Sequence, residues 1–125
     1  MRWLSEIILL LFLATLVGCS QQQRKIVGSY RLEQWEDFKT YYLDKKGQEN
    51  SGGGIINGVV LRIGWNDRYI VAERHANYRG DSDGWMIIDV KSDVISGPFN
   101  EADFHARPEA KDIQIYEAGE AWKKL

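Results

Sequence analysis

His75 and His105 are the side chains of this 125-residue chain best suited to moving a proton near neutral pH. His75 falls at the expected end of a strand, two residues after Glu73, and the period of a strand puts both on one face. His105 falls on an expected short helix. Either could serve a hydrolase if a carboxylate lay within hydrogen-bond reach in a cleft. The plainer alternative for each is a solvated histidine beside a solvated acid. A metal site needs ligands converging from separate elements, and the spacing displays none, so no metal or cofactor is expected.

Other motifs fail on their own chemistry. In Arg79-Gly80-Asp81-Ser82-Asp83-Gly84, taking Gly84 as the turn glycine of a calcium loop puts Arg79 and Val90 at end ligand positions, where neither supplies a side-chain oxygen. Arg79-Gly80-Asp81 also spells an adhesion tripeptide, but three residues recur by chance and Asp-Gly is a common turn. Gly52-Gly53-Gly54 lacks the Lys-Ser/Thr of a phosphate loop and reads as a connector. No Gly-x-Ser-x-Gly elbow is present. The aromatics remain: Trp35, Trp65, Trp85 and Trp122, with six tyrosines. Most are expected in the core. Tyr41, Tyr42, Tyr69 and Tyr78 are the candidates for an exposed binding face.

Positioning these side chains falls to a sheet. Hydrophobic residues make up 44% of the chain and charged ones 27%, a globular balance. The net charge of −2 gives no basic footprint for nucleic acid. Candidate strands are 26–35, 39–43, 55–65, 69–75, 84–90, 94–96 and 112–116. Ile55, Val59, Leu61, Ile63 and Trp65 alternate on one face, and a two-residue turn at Asn66-Asp67 would pair Ile63 with Ile70 and Leu61 with Ala72. Trp85 and Ile87 face one way on their strand and Met86 and Ile88 the other, as in a strand covered on both sides. Gly97-Pro98 should end the next strand. Asn100 should cap a short helix through Phe104, and Ala118–Leu125 a terminal one. The expectation is α+β: a mainly antiparallel sheet of about six strands with one or two short helices near the C-terminus.

The N-terminus carries a different signal. Ile7 to Val17 is an uncharged run well short of the ~20 residues that span a bilayer. It ends in Leu16-Val17-Gly18-Cys19, which resembles the lipobox of bacterial lipoproteins. That resemblance implies cleavage between Gly18 and Cys19 and a lipid on the Cys19 thiol, anchoring the protein to a membrane. Ser20 after the cysteine implies the outer membrane, facing the periplasm, in a Gram-negative cell, and otherwise the outer face of the plasma membrane. Cys19 is the one cysteine, so the domain behind it has no thiol chemistry. The organisation expected is a signal peptide over 1–18, a lipidated Cys and polar tether over 19–25, and a single β-rich domain over 26–125.

From Ile63-Gly64-Trp65-Asn66-Asp67-Arg68-Tyr69-Ile70-Val71 through Trp85-Met86-Ile87-Ile88-Asp89 to Ser96-Gly97-Pro98-Phe99 and Phe104, the chain resembles a family of small exported bacterial domains of unknown function. The resemblance implies a fold type and an exported life, with no activity attached. The functional expectation is therefore a lipid-anchored, non-enzymatic module that binds a protein or envelope component. An inhibitor or immunity lipoprotein is a narrower form of it, and a small envelope hydrolase using His75 or His105 is the rival.

Overall fold

The computed structural model describes residues 22–48 and 52–125. Its first three strands, β1 (Gln22–Val27), β2 (Tyr30–Gln34) and β3 (Tyr41–Lys45), form an antiparallel meander. A 3₁₀ turn at Gly54–Ile56 leads into β4 (Gly58–Trp65), β5 (Tyr69–Ala76), β6 (Gly84–Asp89) and β7 (Ile95–Phe99). Helix α1 (Glu101–His105), a 3₁₀ turn at Pro108–Ala110, the short β8 (Tyr116–Glu117) and helix α2 (Ala118–Lys124) complete the chain. The second sheet has the order β7-β6-β5-β4-β8, antiparallel throughout. The fold is α+β and mainly antiparallel, as its alternating patterns predict.

The two sheets share one core. Leu32, Tyr41 and Leu43 of the first sheet meet Val60, Ile63, Ile70, Ala72 and Ile88 of the second, and Ala121 and Trp122 of α2 close the cluster. β6 is buried on both faces: Met86 and Ile88 enter this inner core, while Trp85 and Ile87 join Val71 and Phe104 in a second cluster on the outer face. The outer cluster is covered by α1 and by Ala110, Ile113 and Ile115. Gly64 permits that cover, because a Cβ there would lie 2.4 Å from the Gln114 carbonyl oxygen. β6 lies between β5 and the edge strand β7, and β5 is the middle strand of the five.

Several boundaries differ from the sequence expectation for local reasons. The stretch 26–35 is not one strand: Gly28, at φ 59°, turns it into the β1–β2 hairpin. The polar segment expected as tether up to Lys25 is paired from Gln22 onward, with Gln22 opposite Gln34. Its polar side chains suit an edge strand, and Arg24 lays its guanidinium 4.3 Å over the Trp122 ring and donates to the Trp122 carbonyl at 2.6 Å. The β4–β5 hairpin pairs Trp65 with Ile70 and Ile63 with Ala72, two residues from the expected register. The Asn66 carboxamide accepts the Arg68 and Tyr69 N–H groups at 2.9 and 2.8 Å, which moves the two-residue tip to Asp67-Arg68. β7 runs through Pro98 to Phe99, tolerable because β7 is an edge. Of the strand expected over 112–116, only Tyr116 pairs, followed by Glu117. Asn100 caps α1 as expected, accepting from the Asp103 N–H at 2.8 Å.

Candidate functional site

The site begins with a break in the β4 pattern. Val60 pairs with Arg74 and Arg62 with Glu73, so Leu61 is the extra residue of a β-bulge. The bulge shifts the phase of the strand. Val60 and Ile63 turn into the inner core, whereas Leu61, expected to face Ala72, is 43% exposed on the other side. There it borders a cavity of about 250 Å³ lined also by Glu73, Asp83, Trp85, Phe99 and Glu101. β4, β5, β6, β7 and the first turn of α1 all contribute to that groove.

Its floor is aromatic and its rim is charged. The Trp85 indole stacks on Phe104 at 4.1 Å and 5° and donates its Nε1–H to Glu101 Oε1 at 3.1 Å. The Arg62 guanidinium lies 4.9 Å over the same indole and donates to both Glu73 and Glu101. The donation from Trp85, joined by Arg62 and His105, holds the Glu101 carboxyl below the usual carboxylate range. Asp83 is likewise held low, first by the Ala76 N–H at 2.8 Å and then by His75. Behind the rim, buried Arg74 donates Nη1–H to the Ile56 carbonyl at 3.0 Å and Nη2–H to that of Ser82, tying β5 to the 3₁₀ turn and to the loop before β6.

The expected site residues are distributed over different surroundings. His75 Nδ1 lies 3.1 Å from Asp83 Oδ2, and His105 Nε2 lies 3.1 Å from Glu101 Oε2. Each histidine thus has a carboxylate partner, and both imidazoles are more than half exposed, at 62% and 68%. Glu73, the other half of the expected pair with His75, is bound to Arg62 instead. Among the described residues no group of three histidines and carboxylates is placed to hold a metal. Tyr41 is a core residue, 7% exposed and 6.0 Å from the Trp122 ring, because its position on β3 faces the second sheet. Tyr42, on the opposite face of β3, meets Trp35 edge-on at 5.4 Å. Tyr69 packs against the outer cluster. Tyr78 is exposed in the loop after β5 and donates to the Gly52 carbonyl at 2.9 Å. Gly18 and Cys19 lie outside the described residues.

The lining of the groove contains no hydroxyl or thiol nucleophile. Glu73 and Glu101 share one arginine, and a carboxyl kept ionised by its donors has no proton to give as a general acid near neutral pH. Leu61 and Glu101, the residues sequence reasoning passed over, are brought together only by the bulge and the α1 cap, neither of which follows from periodicity.

The sequence model of a family described as Protein of unknown function (DUF3997) matches residues 27–117. No curated protein and no solved structure matches the chain.

Proposed function

Because the chain belongs to the DUF3997 family, whose description carries no activity, we propose a function from its own geometry: a non-enzymatic binding module, lipid-anchored through Cys19, that receives a protein or envelope component in the Leu61–Glu101 groove. One observation carries the reading. Half-exposed Leu61 borders the groove together with Trp85 and with carboxylates already bound by their donors, an apolar point within a polar rim. The lipobox supports the anchor, and no helix among the described residues is long and apolar enough to cross a membrane. An inhibitor or immunity lipoprotein, acting on an enzyme that enters the periplasm, is the same reading with the partner's class specified.

A photo-crosslinking residue at position 61 should capture a discrete envelope component in cells, and the same residue at Ser92, beyond the other end of β6, should not. Equal capture at both positions would sink the groove as the binding site. Cys19→Ala should abolish fatty-acid labelling, and labelling that persists would remove the anchor.

The second reading, a small envelope hydrolase, draws on the two histidine–carboxylate contacts. It requires that His75→Ala or His105→Ala abolish turnover of an envelope substrate while capture at position 61 is retained.

A further inference from the structure

The end of β1 nearest the N-terminus is also the end that carries the most exposed aromatic turn. Gln22 pairs with Gln34, and Gln34 pairs in turn with Tyr41, so the β2–β3 tip, Trp35 to Thr40, projects from the edge where the chain enters the sheet. Cys19 is three residues before Gln22, and an extended chain of that length spans at most about 11 Å. A lipid on Cys19 therefore holds this end of the sheet, and no other, against the headgroups.

The tip is built to display side chains outward. Asp37 Oδ1 accepts the Lys39 and Thr40 N–H groups at 2.9 Å each, Asp37 Oδ2 accepts the Thr40 hydroxyl, and the Trp35 carbonyl accepts the Phe38 N–H at 2.9 Å. Phe38 stands at φ 59°, a left-handed conformation that a side chain other than glycine's rarely adopts. It is 70% exposed, the highest among the large apolar residues described, and Trp35 beside it is 38% exposed. Tyr42 supports Trp35 from the strand. Burial offers no reason for a phenylalanine here. Within the tip Lys39 is the one cation, beside the two acids Glu36 and Asp37. Exposed aromatic rings at such a tip match the headgroup layer of a bilayer, where amphipathic rings collect.

We propose that Trp35 and Phe38 at the β2–β3 tip insert into the headgroup layer beside the Cys19 anchor, giving the domain a second contact and one fixed orientation on the membrane. The proposal rests on the reading of Cys19 as lipidated.

The test uses the full chain matured in cells and reconstituted in vesicles of phosphatidylethanolamine and phosphatidylglycerol. An environment-sensitive thiol probe is placed at Phe38→Cys in one sample and at Lys91→Cys, near the opposite end of the first sheet, in another. The position-38 probe should shift to the blue and be quenched severalfold more by lipids brominated near the headgroup than the position-91 probe. Mass spectrometry of the same samples reports the lipid on Cys19. Equal quenching at both positions with the lipid present overturns the tip contact and leaves the anchor standing. Absence of the lipid overturns the anchor and the tip contact with it. A Trp35→Ser/Phe38→Ser variant with an unchanged circular-dichroism spectrum should, with Lys91→Cys labelled, lose its preferred orientation, and an orientation that survives would also overturn the proposal.

Discussion

The two faces of the five-stranded sheet are covered by different means. The inner face meets a second sheet and a helix, and Leu32, Leu43, Ile63, Ile70 and Ile88 are wholly excluded from water there. The outer face is covered by a five-residue helix and an irregular strap, which leave the Leu61–Glu101 groove beside them. Strand β6 contributes to both with alternate residues. Sealing a face takes a layer as broad as the face, and where the cover is narrower than the sheet, apolar surface stays available for a ligand.

Neighbouring residues on β6 give the strongest way to break this comparison. Ile88→Ala on the inner face should cost toward the upper end of about 2–5 kcal/mol in a denaturant melt, and Ile87→Ala on the outer face toward the lower end, since the narrower layer can settle into the space. Equal costs would mean that the outer layer is packed as tightly as the inner. Next in size is the cap of the outer layer. Asn100→Ala removes the acceptor for the Asp103 N–H and should cost about 1 kcal/mol, with Asn100→Asp restoring most of it.

Smaller again is Leu61→Asn, which should change stability by no more than about 0.5 kcal/mol, as for an exposed position. The same change should abolish capture by a crosslinker placed at the neighbouring Phe99. A large loss of stability would reclassify Leu61 as a packing residue. Acid gives the finest discrimination. Glu101 titrates below an unfolded glutamate, so its bonds to Trp85 and Arg62 favour the fold above the unfolded value of about 4.3 and that support is lost as pH falls through the folded one. Thermal midpoints should therefore fall less steeply with acid in Glu101→Gln than in the parent chain. Identical slopes would show that Glu101 contributes nothing to the acid response.

The elements legible from sequence were those with one dominant local cause. The two-sided run of β6, the Asn100 cap and the terminal helix were each written in a few adjacent residues. The groove was not, because the period of two in β4 fails at Leu61, and a bulge reverses every assignment of side that is counted through it. Tyr41 lies in the core for a related reason: a tyrosine pair on a strand must split between faces, and only the position of the second sheet decides which ring is buried. The cluster of Arg62, Glu73, Trp85 and Glu101 joins residues on three strands and a helix, a proximity that depends on register and topology rather than on spacing.

The two-residue ladder between β8 and β4 has a kinetic consequence. Every other ladder among the described residues joins strands consecutive in sequence, and so closes a short loop. β8 instead pairs Glu117 with Arg62 and Tyr116 with Ile63, across the whole meander, and leads directly into the helix that seats Trp122 on Tyr41. Local hairpins form quickly and long closures slowly. The open edge of β4 is thus covered after the hairpins have formed, and the meander of β4 to β7 waits on this one long closure for its completed core.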